Sequence, residues 1–189
     1  MAKIASIHAI EILDSRANPT IQTTITLDDG SSKAASVPSG GSVGEHEALE
    51  LRDGDPMRFD GKGVRKAVDH VNKVIGPGLI GVDPTRQKEI DQWMINIDGT
   101  ENKSKFGANA LLSISLALTK ASAHSLHVPL YRYINQLFEQ DTGMKVPITR
   151  IPSPVFNVIN GGKHGAGNLD FQEFHIIPSS ANAYPDALR

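Results

Sequence analysis

The hydrophobic pattern changes period at Pro38, and that change constrains the fold more than any other feature of the sequence. Before it, Ile21, Thr23, Ile25 and Leu27 alternate with Gln22, Thr24 and Thr26, the period of two expected of a strand rich in β-branched side chains. Asp29-Gly30 supplies a hairpin turn ahead of a strand over residues 32–37. Residues 3–13 are also β-branched at several positions, and residues 14–19 read as the polar turn that follows. The simplest arrangement is a three-stranded antiparallel meander. After Pro38 the spacing becomes helical: Val64, Val68, Val71 and Ile75 recur on one stripe. Asp83-Pro84 reads as an N-cap followed by proline at the first helical position, with Ile90, Trp93, Met94 and Ile97 as that helix's buried stripe. A long helix follows over 107–126, with Leu111, Ser115, Leu118 and Ser122 on one side and small residues suited to close packing. Leu130, Ile134, Leu137 and Phe138 mark one more helix. Strands followed by helices indicate an α+β domain.

Residues 141–150 include Asp141, Thr142, Gly143 and Pro147 and few apolar side chains, the composition of a linker. They separate a domain over 1–140 from the start of another over 151–189. In the second part a strand over 154–159 leads through Asn160-Gly161-Gly162 into another over 171–177, and a helix begins near 181–188.

Composition narrows the function. Nineteen basic against twenty-one acidic side chains leave a net charge of −2, without the basic excess of a nucleic-acid module. There is no cysteine, which excludes disulfide scaffolds, thiolate zinc sites and cysteine nucleophiles. No apolar run approaches the roughly 18 residues of a membrane span. The N-terminus lacks the charged and apolar regions of a secretory signal, so a soluble, cytoplasmic protein is expected.

Several motifs have ordinary readings. Gly76-Pro77-Gly78-Leu79-Ile80-Gly81 matches G-x-G-x-x-G, but a helical stripe precedes it where a dinucleotide site needs a strand, and Pro77 has no N–H to offer a pyrophosphate. It reads as a helix-ending turn. Asn102-Lys103-Ser104 is a glycosylation sequon met by chance, His124 and His127 mark a helix terminus, and Glu45, Glu47 and Glu50 solvate a short helix. Two stretches carry more. Ser39-Gly40-Gly41-Ser42-Val43-Gly44 is a glycine-rich loop able to fold over a ligand, with serine oxygens for an anion or a hard cation. Gly161-Gly162-Lys163-His164, with Gln172-Glu173 on the next strand, can bring an imidazole and a carboxylate to one rim, where together they position a hydroxyl and share its proton.

Five segments in order resemble the enolase family: Asp14-Ser15-Arg16-Ala17-Asn18-Pro19-Thr20; Pro38-Ser39-Gly40-Gly41-Ser42-Val43-Gly44-Glu45-His46-Glu47; Leu51-Arg52-Asp53-Gly54-Asp55; Asn102-Lys103-Ser104-Lys105-Phe106-Gly107-Ala108-Asn109-Ala110; and Asn160-Gly161-Gly162-Lys163-His164 through Gln172-Glu173-Phe174. The resemblance implies a meander-plus-helices N-terminal domain and a modified β/α barrel that begins with two antiparallel strands. It implies dehydration of 2-phosphoglycerate to phosphoenolpyruvate in glycolysis, with Mg²⁺ as cofactor. It implies that the loop carrying Ser42 closes over substrate and that Ser42 coordinates the catalytic Mg²⁺. By the same resemblance His164 lies near the phosphate end of the substrate, Gln172 contacts the substrate and Glu173 helps hold the departing hydroxyl. The resemblance further implies a homodimer for the full-length form.

Ala17, Gly41, Val43, Gly165 and His175 depart from the usual pattern, where glycine, alanine and threonine occupy the first three positions. Length adds a sharper constraint. A complete β/α barrel takes about 250 residues, and only residues 151–189 are available here. The base lysine, the acidic Mg²⁺ ligands and a second glutamate, which the resemblance places on later strands, are missing. The chain is therefore expected to be inactive alone, with a non-catalytic binding or dimerisation module as the alternative.

Overall fold

The computed structural model describes residues 2–40, 44–162, 165–167, 169–179 and 183–188. Its contacts divide the chain into two compact units, Met1–Met144 and Lys145–Arg189.

The first unit opens with β1 (Ile4–Leu13), β2 (Pro19–Leu27) and β3 (Ser32–Ser36), paired antiparallel in the order β1-β2-β3. This is the meander that period-two alternation implies. Ile21, Thr23, Ile25 and Leu27 all face inward and are buried. Ile4 and Ile7 differ in parity yet are both buried, because a bulge between Ile4 and Ser6 shifts the register by one residue. Two observations account for the covering of β1's outer edge. Ile4 exchanges hydrogen bonds with the backbone of Gly81 and Val82. The amide of Asn72 imitates a strand, accepting the Ala9 N–H at 2.7 Å and donating to the Ala9 carbonyl at 3.0 Å.

Helices cover one face of the sheet. The stripe from Val64 to Ile75 builds α1 (Arg65–His70), a π-helical turn (Val71–Ile75) and α2 (Gly76–Leu79). Within G-x-G-x-x-G, a Cβ on Gly76 would lie 2.8 Å from the Val71 carbonyl, and one on Gly78 would lie 2.7 Å from the Trp93 ring. These glycines serve packing, and the segment ends a helix as its sequence suggests.

Helix α3 (Gln87–Asp98) begins three residues later than Asp83-Pro84 implies. The Asp83 carboxylate is occupied by the Thr85 N–H and hydroxyl, and the Pro84 carbonyl accepts the Ser122 hydroxyl at 2.6 Å. That carbonyl is thus taken by a neighbouring helix instead of starting an intrahelical ladder. Ile90 and Met94 are buried, and Trp93 and Ile97 pack partly against the core.

Helix α4 (Ala108–Ser125) packs on β2 and β3. Leu111, Leu118 and Ser122 are buried, Ser115 less so, and Ala110, Ser113, Ile114, Ala117 and Ala121 are fully buried beside them. Small side chains bring the helix close enough for the Ser113 and Thr23 hydroxyls to meet at 2.6 Å, both fully buried.

Helix α5 (Leu130–Thr142) exists where the spacing puts it, but its buried residue is Tyr133. Leu130, Ile134 and Phe138 are exposed. Ile134, Leu137 and Phe138 face Ile95 of α3 across an open cleft of about 530 Å³. The helix also runs through the first two positions of the expected linker and ends on Gly143, which has φ +71°.

The second unit contains β4 (Phe156–Asn160) paired antiparallel with β5 (Glu173–Ile176), and a short α6 (Tyr184–Ala187). Both strands are shorter than their apolar runs, and no closed barrel forms among the described residues.

Candidate functional site

In the first unit the segments singled out by sequence converge on residues 49–52. Leu49 donates to the Asn102 carbonyl and accepts from the Ala108 N–H, each at 2.8 Å. The Asn109 amide pairs with both backbone groups of Leu51 at 3.1 Å. Gly107, at φ +93°, lies so close to Leu51 that a Cβ would come within 2.5 Å of its side chain. Residues 102–109 thus act as a rail along 49–51.

The next residue is the hub. Arg52 donates through Nη1 to the carbonyls of Pro19 (2.6 Å) and Lys62 (2.7 Å), and through Nη2 to Ser39 Oγ (2.7 Å) and Glu50 Oε1 (2.5 Å). The strand β3 exit is held as well: the Thr20 hydroxyl donates to the Val37 carbonyl, and the Val37 N–H to Ile21. One guanidinium therefore joins the Asp14 turn, the start of the glycine-rich segment and the loop at Lys62. Sequence reasoning included Arg52 in a motif but gave it no role. The available signal was a single arginine two residues beyond Glu50, in a stretch without helical or strand period.

The glycine-rich segment is described at Ser39, Gly40 and Gly44; Gly41, Ser42 and Val43 lie outside the described residues. Beyond it, no helix forms under Glu45, Glu47 and Glu50. Residues 44–58 are turns and irregular chain, with Glu47 Oε2 accepting the Gly44 N–H and Glu50 paired with Arg52. A carboxylate that serves a loop amide or a guanidinium has no need of a helix face.

A second charged group adjoins this platform. Glu11 on β1 accepts both Arg58 Nη1 and Nη2 and the Val64 N–H, and Asp53 accepts the Arg65 and Lys66 N–H groups. The Arg58 guanidinium, assisted by the Val64 N–H, holds the Glu11 carboxyl below its ordinary value although partial burial opposes the shift.

In the second unit the glycine turn lies against the Gln-Glu strand. Asn160 pairs with Glu173, the Gly161 N–H donates to the Gln172 carbonyl at 2.9 Å, and Gly162 bonds Leu169 at 2.8 Å. A Cβ on Gly161 would lie 2.1 Å from the Phe171 carbonyl, so only glycine permits this approach. Gln172 and Glu173 thus stand beside the turn that leads to Lys163 and His164, which are outside the described residues. Glu173 Oε2 lies 3.0 Å from His175 Nε2, both half-exposed. Among the described residues, His175 is an imidazole beside that carboxylate.

Among the described residues no group of three or more His, Asp or Glu side chains could hold a metal ion, and no described helix is long and apolar enough to cross a membrane.

A helix-covered antiparallel meander followed by a strand pair that opens a second unit defines a two-part α+β protein. Residues 4–134 match the family model for the enolase N-terminal domain, and residues 148–189 match that for the enolase C-terminal TIM barrel domain. An enolase from Anaplasma phagocytophilum (strain HZ) is 49% identical over all 189 residues, which span 42% of that relative's length. The chain belongs to the enolase family.

Proposed function

We propose that the function built on this chain is that of a lyase converting 2-phosphoglycerate to phosphoenolpyruvate, and that the 189-residue polypeptide does not perform it alone. The observation that carries the reading is 49% identity along the whole chain with a protein named enolase. The convergence of four of the five motif segments on residues 49–52 supports it, since those segments have a common structural reason to occur together.

In this reading Glu173 helps hold the departing hydroxyl, Gln172 contacts the substrate and His164 lies toward its phosphate. A half-exposed carboxylate beside His175 can accept a hydrogen bond from a hydroxyl and share its proton. Ser42 is this chain's proposed oxygen ligand for Mg²⁺. That ion needs near-octahedral oxygen coordination, and the described residues do not supply it. The remaining ligands and the base that removes the proton belong to later barrel strands. A cytoplasmic location and a homodimeric longer form are part of the same proposal.

The test is phosphoenolpyruvate formation from 2-phosphoglycerate and Mg²⁺. The 189-residue chain is expected to give no turnover above background, and the chain extended by a relative's remaining barrel is expected to give robust turnover. Turnover by the short chain near that of an intact enolase would overturn the predicted inactivity, and an inactive extended chain would overturn the lyase reading. The second reading, a non-catalytic module, is favoured by the closed core of the first unit, which comprises side chains from all three strands and from α1 to α4. Co-elution of the chain with an intact enolase, in the absence of turnover, is its expected signature.

A further inference from the structure

We propose that Arg52 is a positioning residue that clamps the base of the glycine-rich segment, tying its first residue, Ser39, to the rigid platform at residues 49–52. The inference rests on the reading of that segment as the one that presents Ser42, and adds to it a residue that fixes where the segment begins.

The geometry is that of a tie between two fixed points of the chain, Ser39 and Arg52. The chain leaves the sheet after Val37, and residues 49–51 lie along the rail formed by residues 102–109. The far end is fixed by backbone pairing at Leu49 and by the Asn109 amide at Leu51. The near end is fixed up to Val37 by bonds to Thr20 and Ile21. Pro38 has no N–H to continue that pairing. The next tie is the Ser39 hydroxyl, 2.7 Å from Arg52 Nη2. Arg52 is thus the residue of the far end that reaches across to the near end. Its other nitrogen holds the Pro19 and Lys62 carbonyls, so the guanidinium is itself oriented on two sides before it meets Ser39.

The chemistry requires arginine. Four acceptors lie around one side chain, two on each terminal nitrogen, and the planar fork serves them together while Glu50 balances the charge. A lysine ammonium is one point with three donors on a flexible stem. It can replace some of these bonds but not the fixed direction toward Ser39. Closing a loop of this length also removes chain entropy in advance, so the segment starts from a defined place.

The experiment uses the 189-residue chain, labelled with ¹⁵N, without metal or substrate, and measures backbone order parameters at Ser39 and Gly40. In the parent chain Ser39 is expected near the rigid value of about 0.85, and in Ser39→Ala and Arg52→Lys it is expected to fall below about 0.6, the flexible range. Ser39→Thr retains the hydroxyl and is expected to restore the parent value, while Ile25 and Ile114 stay rigid in every variant. A general loss of structure would instead lower the order parameters of all of these residues, and rescue by threonine would not follow it. The proposal is overturned if Ser39 is already flexible in the parent, if Ser39→Ala or Arg52→Lys leaves it rigid, or if threonine fails to restore it. Because no turnover is read, the clamp can fail while the lyase reading stands, and the reverse also holds.

Discussion

Ala17 shows how much one residue of the sequence can disclose. It stands where the resemblance to the enolase family leads one to expect glycine, and the backbone there has φ +59°, the left-handed region. The turn around it is otherwise well made: Asp14 Oδ1 accepts the N–H groups of Arg16 and Asn18 at 2.8 Å, and the Ala17 N–H donates to the Asp14 carbonyl. A Cβ in this conformation costs about 1–2 kcal/mol, part of which glycine would give back through its more disordered unfolded state. Ala17→Gly is therefore expected to stabilise the chain by about 0.5–1 kcal/mol, read as a higher urea midpoint with an unchanged slope. An unchanged or lower midpoint would show that the turn carries no such strain. The departure from pattern was legible in the sequence; its sign became readable only with the dihedral angle.

At the scale of elements, alternation was the most informative signal and boundaries the least. Strand β2 was readable because each inward residue was apolar or β-branched. The start of α3 was not, because the Pro84 carbonyl is claimed by Ser122, a partner 38 residues away. Helix α5 was legible as a helix but not in its buried face: Tyr133 packs inward while Ile134 and Phe138 stay exposed, a choice made by the neighbouring helix. Arg52 escaped notice for the same reason, since three of its four partners lie ten or more residues away.

The start of α1 is another long-range device and it titrates. Its Val64, Arg65 and Lys66 N–H groups meet no local capping side chain and are served by Glu11 of β1 and by Asp53. Carboxylates here also face the positive end of the helix. With its folded value held below the ordinary one, chiefly by Arg58, the ionised Glu11 contributes stability that is fully present above its unfolded value, near 4.5. That contribution is lost as pH falls through the lowered folded value. Glu11→Ala is expected to cost about 1–3 kcal/mol at pH 7, leaving the Val64 N–H and the guanidinium without their acceptor. The variant is also expected to lose less stability than the parent as pH falls from about 5 to 3, the range that brackets the ordinary glutamate value and runs below it. Urea midpoints across that range decide it: parallel curves would mean that Glu11 is not linked to folding.

For the whole molecule, the two units differ in what each can bury. In the first, three strands and several helices enclose Ile21, Ile25, Val71, Ile75, Ile114 and Leu118 with essentially no exposure. In the second, β4 and β5 form a two-stranded pair whose Val158, Ile159, Ile176 and neighbouring Ile177 are at least half exposed. A two-stranded sheet is at best marginally stable in water, because it has no third strand or covered face to repay the ordering of its chain. Exposed apolar strand edges also invite association. Amides of β2 and α4 are therefore expected to exchange with solvent at least about a thousandfold more slowly than those of β4 and β5, a difference of about 4 kcal/mol in opening free energy. Native-state hydrogen exchange on dilute protein measures both sets in one experiment. Equal protection would mean that the second unit is stabilised by something the pair of strands does not provide.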